Sequence, residues 1–310
     1  MELPLDKRLL YVTGKGGVGK TTVAAALGLV AASRGLRTIV CEVAEQEHLA
    51  SAFASERDGR AEVQLEERLW ATSIDPTKTL EDWLSRQLGS PALVRTLGRS
   101  QAFEYFIAAA PGIRELITVG KVWDLAHGAG AEASREPYDL VVVDAPASGH
   151  GIAMLETPQT FGEIARVGPV HRQARKIRSL LTDPARTAYL AVTLPEETPV
   201  NETLELESEL QRVVGLPLHA VIVNSLRADA FSSDEARRMR DALAATPEGG
   251  CAPALRAALD EHDRARSQHA HLERLRSGAR APVDTLPFLV DAGPASAIYA
   301  ELAAELDRTR

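Results

Sequence analysis

A doubly wound α/β fold built on a mostly parallel sheet is predicted by three observations. Seven apolar runs have the length of strands, helical segments lie between them, and a glycine-rich segment joins the first run to the first helix. Strands alternating with helices imply parallel pairing through right-handed crossovers. Leu9–Thr13 is the first run and ends at Gly14. Thr21–Ser33 follows as an alanine-rich helix with Val23, Leu27 and Val30 on one face and Gly35 as its stop signal. Thr38–Val43 is the second strand, and Leu69–Ile74 the third, ended by Asp75-Pro76. Leu140–Val143 is apolar throughout, as expected of a strand covered on both faces. Tyr189–Leu194, Ala220–Val223 and Thr285–Leu289 complete the series.

The spacing between strands is uneven. About 65 residues separate Ile74 from Leu140, and about 45 separate Val143 from Tyr189. Both gaps carry helical periodicity: Phe103, Phe106, Ile107 and Ala110, then Ile113, Leu116, Ile117 and Gly120, fall at i, i+3, i+4, i+7, with Pro111-Gly112 between them. Residues 78–135 and 157–186 are therefore expected to form a helical subdomain inserted into a single domain spanning 1–310. A further long helix is expected at about 253–277.

Composition narrows the class. With 310 residues and 45% apolar side chains the chain can bury a large core. No apolar run approaches the roughly 18–20 residues needed to span a bilayer, and Met1 to Arg8 has no apolar signal core. A soluble cytoplasmic protein is expected. The formal net charge of −8 argues against non-specific nucleic-acid binding, which draws its affinity from a basic surface. Cys41 and Cys251 are the two cysteines. Neither belongs to a Cys-x-x-Cys pair, so no zinc ribbon or redox motif is present, and Cys41 reads as a small buried hydrophobe.

Gly14-Lys15-Gly16-Gly17-Val18-Gly19-Lys20-Thr21 fills every position of G-x-x-x-x-G-K-[ST], after a strand and at the start of a helix. Its glycines let successive backbone N–H groups turn toward phosphates, and the helix N-terminus adds its positive dipole end. Lys20 is expected on the β- and γ-phosphates of ATP, and the Thr21 hydroxyl on Mg²⁺, with Thr22 next to them in the nucleotide-binding segment. Asp144 closes the apolar run Val141-Val142-Val143-Asp144, a placement suited to holding Mg²⁺ as well.

Lysine at the second loop position, Lys15, marks the deviant form of this loop. Asp144-Ala145-Pro146-Ala147-Ser148-Gly149-His150 resembles the second switch loop D-T-A-P-T-G-H of the ArsA and guided-entry (GET) ATPases. Pro111-Gly112-Ile113-Arg114-Glu115 is similar to their P-G-I-D-E motif, and Ile74-Asp75-Pro76 resembles the strand end before their helical layer. Val221-Ile222-Val223-Asn224 resembles the strand whose asparagine reads adenine, and Leu286-Pro287-Phe288 the loop that closes over the base. The matches run in order over roughly residues 8–290. The resemblance implies a P-loop ATPase with bound ATP and Mg²⁺ that works as a nucleotide-sandwich dimer, in which Lys15 crosses to the partner's ATP.

Three departures stand out. The family's first switch reads D-P-A-H-[NS]-L-S-D-A-F, against Ala44-Glu45-Gln46-Glu47-His48-Leu49-Ala50-Ser51-Ala52-Phe53 here. Ala44 stands where the family keeps the aspartate that orients the attacking water. Glu45 is the candidate catalytic replacement, with Glu42 and Glu47 beside it; each also reads as a solvated charge. Cys41-Glu42-Val43 resembles bacterial relatives that occur as two different, paired subunits. The Cys-x-x-Cys of a shared zinc site is absent, and so is the cysteine triad of arsenite-responsive pumps, so neither structural zinc nor arsenite binding is expected.

The resemblance thus implies a dimeric switch, homodimeric or paired with a related ATPase subunit, that couples ATP to a hydrophobic helical client. Other readings remain: a hydrolysis-impaired regulatory subunit, a partitioning or division-site ATPase of the ParA/MinD type, or an iron–sulfur reductase component. The helices at 101–127 read as a client groove or as plain core. The basic cluster Arg166, Arg172, Arg175, Lys176, Arg178 reads as a contact surface or as a solvated helix face. His150 reads as an indirect γ-phosphate sensor or as a turn-stabilising residue.

Overall fold

A computed structural model describes residues 2–43, 48–53, 62–88, 112–128, 136–290 and 293–308. Eight strands form one sheet: β1 (Leu9–Thr13), β2 (Thr38–Glu42), β3 (Glu62–Glu66), β4 (Leu69–Ser73), β5 (Leu140–Asp144), β6 (Thr187–Thr193), β7 (Ala220–Leu226) and β8 (Val283–Pro287). Their order is β3-β4-β2-β5-β1-β6-β7-β8. Every pairing is parallel except β3 with β4. All seven strands expected from apolar runs are present, with ends displaced by a few residues.

Strand β3 was not expected. It alternates Glu62-Val63-Gln64-Leu65-Glu66, with only Val63 and Leu65 buried, whereas β1, β2 and β6 are buried at every residue. An edge strand covered on one face shows period-two alternation, not a continuous apolar run.

Helices among the described residues are α1 (Lys20–Ser33), α2 (His48–Ala52), α3 (Pro76–Leu88), α4 (Ile113–His127), α5 (Ser148–Ile164), α6 (Pro169–Leu181), α7 (Glu197–Val214), α8 (Ser233–Ala245), α9 (Ala252–Gly278) and α10 (Ala295–Arg308). The long helix expected near 253–277 is α9. Side chains of β1 alternate between two cores, because successive residues of a strand point to opposite faces. Leu9 and Tyr11 join Leu116, Val119, Ile177, Leu206 and Leu275. Leu10 and Val12 join Leu27, Val30, Tyr299 and Leu302. Helices α1 and α10 thus cover one face, and α4 to α7 with α9 the other.

Helices α3 to α6 pack against one another beyond the sheet. Helix α5 begins at Ser148, directly at the strand end, earlier than the boundary of 157 expected from sequence. The periodic set Phe103, Phe106, Ile107 and Ala110 lies outside the described residues. Cys41 is fully buried in the sheet, where loss of solvation pushes its thiol pKa well up. No helix among the described residues is long and apolar enough to cross a membrane.

Candidate nucleotide site

Parallel strands bring their C-terminal ends to one edge of the sheet. Thr13, Glu42, Asp144 and Thr193 therefore line up across β1, β2, β5 and β6. Strands β2 to β5 lie to one side of β1 and β6 to β8 to the other. The segment Gly14–Gly19 leaves the sheet at this topological switch point, where open α/β sheets bind their ligands.

Local backbone geometry explains the loop's glycines. Gly14, Gly17 and Gly19 have φ of +141°, +82° and +92°, values that L side chains rarely adopt. Position 14 has a second constraint, since a Cβ there would run into the backbone carbonyl of Val192 on β6. At position 19 it would run into the side-chain amide of Asn224 on β7. The loop is thus pressed against two neighbouring strands, and the N-terminus of α1 opens onto the crevice.

Lys20 donates from Nζ to the carbonyl of Lys15 at 2.9 Å, folding over the loop. Burial lowers its pKa, and the facing Asp144 carboxylate opposes that shift. Thr21 donates from Oγ1 to Asp144 Oδ2 at 2.5 Å. The other carboxylate oxygen, Oδ1, is buried and has no hydrogen-bond partner among the described residues. Burial raises the Asp144 pKa, against the Thr21 hydrogen bond and the charges of Lys20 and His48. A hydroxyl and a carboxylate side by side, one oxygen unsatisfied, match the hard oxygen ligands of Mg²⁺. The residues fit the ion.

Asn224 is buried and donates from Nδ2 to the carbonyl of Val18 at 3.0 Å, which ties β7 to the loop. Beyond it, Ser225 has φ of +60°. Arg227 then lays its guanidinium over the Phe288 ring, 4.0 Å from the centroid. Glu261 of α9 holds Arg227 through two contacts of 2.7 Å, and Phe288 N donates to Leu226 O at 2.9 Å. Pro287 ends β8 immediately before Phe288. The loops after β7 and β8 therefore meet, and Arg227 joins them. Its position three residues past Asn224 was the only signal in the sequence.

Lys15 sits on the outer side of the loop, ion-paired with Glu202 of α7 in the same chain. Gly16, Gly17 and Val18 complete the turn between Lys15 and Gly19. Thr22 is the third residue of α1, half-buried. Ala44, Glu45, Gln46 and Glu47 lie outside the described residues.

Glu42 is described, and its carboxylate is committed. It is 3% exposed and accepts from the backbone N–H groups of His48, at 2.9 Å, and Leu49, at 3.3 Å. It anchors the start of α2. His150 lies in the first turn of α5, 3.5 Å from Glu115 of α4, so the segment after β5 touches the helical layer at this point. His262 is buried, with Nδ1 at 3.0 Å from the Phe231 carbonyl, and no group of three or more potential metal-ligating side chains occurs among the described residues.

Comparison with known proteins agrees with this geometry. The family model of the anion-transporting ATPases matches residues 7–169 and 163–244, which contain the loop, Asp144 and Asn224. The chain belongs to the anion-transporting ATPase family. Relatives from that family include the ATPase BagA of Mycobacterium tuberculosis, 33% identical over 231 residues, or 70% of this chain and 64% of the relative. The ATPase GET3B of Arabidopsis thaliana is 26% identical over 270 residues, covering 71% and 64%. A putative arsenical pump-driving ATPase of Halobacterium salinarum is 25% identical over 256 residues, covering 76% and 39%. The match thus spans less than two thirds of each relative's length. Family membership agrees with the mostly parallel P-loop architecture and with nucleotide binding.

Proposed function

We propose that the chain binds Mg²⁺·ATP between the glycine loop and the β7 and β8 loops, and works as a dimeric ATP-driven switch. The observation that carries this reading is the Thr21–Asp144 pair, with one carboxylate oxygen left over beneath Lys20. Thr21 and Asp144 would hold Mg²⁺, which when bound would neutralise phosphate charge. Lys20 carries the β- and γ-phosphate charge, the loop N–H groups and the α1 N-terminus cradle the phosphates, and Lys15 reaches the partner's nucleotide. Asn224, Pro287 and Phe288 hold the base.

The switch reading is supported by the contact of His150 with Glu115, which joins the end of β5 to the helices. There, among the described residues, an apolar pocket opens between α3, α4, α5 and α6, lined by Leu80, Trp83, Ile113, Ile117, Phe161 and Val170. A hydrophobic helical client fits its chemistry. On helix α4, Val119, Val122 and Leu125 are buried in the core, Ile113 and Ile117 face the pocket, and buried Leu116 borders both.

A second reading is favoured by Ala44 together with Glu42. Position 44 has no carboxylate, and Glu42 is occupied as the anchor of α2. The chain then binds ATP tightly and hydrolyses it slowly, or with a related subunit completing the site. The deciding experiment is native mass measurement with a non-hydrolysable ATP analogue, for the chain alone and with its paired homologue. A nucleotide-dependent dimer supports the switch; a strict monomer under every condition contradicts it.

A further inference from the structure

Between Glu163 and Asp183 the chain carries five cations, Arg166, Arg172, Arg175, Lys176 and Arg178, and no carboxylate. In a protein of net charge −8 this is a marked local reversal. The segment covers the turn from α5 to α6 and nearly all of α6. Its hydrophobic side is settled: Ala174, Ile177, Leu180 and Leu181 are buried. Arg172, Arg175, Lys176 and Ser179, at i, i+3, i+4 and i+7, form one exposed stripe. None of the five cations makes an ion pair among the described residues. Lys176 is exposed, with its Nζ over the Trp123 ring, 5.3 Å from the centroid.

The apolar residues at the head of this helix are as unusual as its charge. Ile164 is 73% exposed and Val167 84% exposed, on either side of Arg166 in the turn. They are not part of the pocket described above. Val170 and Gln173 turn toward that pocket, and at 100° per residue the arginine stripe lies on the opposite side of α6. The stripe and the turn therefore form a separate outward surface: a basic helix face with two large aliphatic side chains at its head.

We propose that this face docks the protein on anionic lipid headgroups, with Ile164 and Val167 entering the boundary between headgroups and acyl chains. A basic, apolar-tipped helix face lying on a bilayer gains from both terms at once: attraction to anionic lipid and burial of aliphatic surface. Charge complementarity selects this occupant. A second copy of the chain would set five cations against five. A nucleic acid would neutralise the arginines and leave Ile164 and Val167 in water.

The test is sedimentation of the full chain with vesicles of pure phosphatidylcholine, or of equal parts phosphatidylcholine and phosphatidylglycerol. Binding is expected only to the second kind and weakens with salt. R172Q and R175Q each lower the partition coefficient about fivefold, the effect of one cation at such a surface. V167S keeps every charge and lowers it about tenfold, at the low end of what burying a valine supplies. All three variants are expected to melt like the wild type, since none of the three side chains is buried. Excess glycerol phosphate, the same headgroup chemistry in solution, leaves vesicle binding intact. Equal sedimentation with both vesicle types, binding unmoved by R172Q and R175Q, displacement by glycerol phosphate, or retention only on duplex DNA would each overturn the proposal.

Discussion

Lys15 of the glycine loop is ion-paired with Glu202 of α7 in its own chain, each side chain 34% exposed. The proposed role of Lys15 lies across the dimer, so the pair must open before the lysine can reach a partner's phosphate. A half-exposed pair is easily opened, since such pairs are worth about 0–1 kcal/mol. E202Q is therefore expected to tighten dimerisation in the presence of a non-hydrolysable ATP analogue, by up to about fivefold. Lys15→Ala weakens it. Sedimentation velocity across a concentration series measures both. Two variants indistinguishable from wild type would remove Lys15 from the interface.

Nucleotide binding is expected to depend on Lys20. Its Nζ is half-buried and already turned back over the loop. Lys20→Ala removes charged hydrogen bonds worth about 1.5–3 kcal/mol each, so ATP affinity falls by at least about tenfold, with little change in the melting of the apoprotein. Calorimetric titration decides, and equal affinities for wild type and variant would contradict the phosphate-clamp assignment.

The outer wall of the proposed base site gives a different signature. Arg227 spans from Phe288 to Glu261, so it links the β7 and β8 loops to α9. Arg227→Ala is expected to lower ATP affinity several-fold through loss of the stacked wall, and to leave tripolyphosphate binding unchanged. Parallel titrations with the two ligands separate base recognition from phosphate recognition. An equal loss for both would place the effect in the loop.

How much of this was legible in the sequence depended on how local the signal was. The phosphate loop, Asp144 and the seven apolar strands announce themselves within a few residues each. Strand β3 is not legible as an apolar run, because its pattern alternates, Val63 and Leu65 between charged or polar neighbours. Proximity to Ala44 makes Glu42 a catalytic candidate in the sequence, which does not reveal that two backbone N–H groups from α2 already hold it. The pairing of Lys15 with Glu202 and that of Arg227 with Glu261 join residues 187 and 34 positions apart. Only the topology brings them together.

Asp144 gives a pH prediction. Burial raises its pKa in the folded nucleotide-free protein. A carboxylate with a raised folded-state pKa destabilises the fold when ionised, so its cost is present above the folded pKa and vanishes below the unfolded value. Asp144→Asn keeps the oxygen that accepts from Thr21 and removes the charge. It is expected to raise the melting temperature of the apoprotein at neutral pH by a few degrees, at about 2–4 °C per kcal/mol. The gain disappears as pH falls through the folded pKa toward the ordinary carboxylate range. The same variant loses Mg²⁺-dependent stabilisation by ATP. A gain that persists unchanged at acid pH would show that the carboxylate is not strained by burial.

Hydrolysis by the isolated chain is expected to be slow. In the proposed site, Lys20, Thr21 and Asp144 serve phosphate and metal binding, and Lys15 is the lysine proposed to act across the dimer. Ala44 leaves open the place of the carboxylate that aligns water with the γ-phosphate. In phosphoryl transfer the protein contributes mainly positioning and electrostatics, and a missing positioned base typically costs about 10²–10⁴ in rate. Glu42 does not fill the gap, because its oxygens accept from His48 and Leu49 N–H. Glu42→Gln is accordingly expected to act on the fold: it weakens charge-assisted bonds at the start of α2 and lowers the melting temperature. Glu45 and Glu47 are separated from it by a turnover series on the purified chain, comparing wild type with Glu45→Gln, Glu47→Gln and Ala44→Asp. If position 44 is the vacated site, Ala44→Asp raises turnover and the two glutamine variants leave it unchanged. Brisk wild-type turnover abolished by Glu45→Gln would instead make Glu45 the base, and the chain a self-sufficient ATPase.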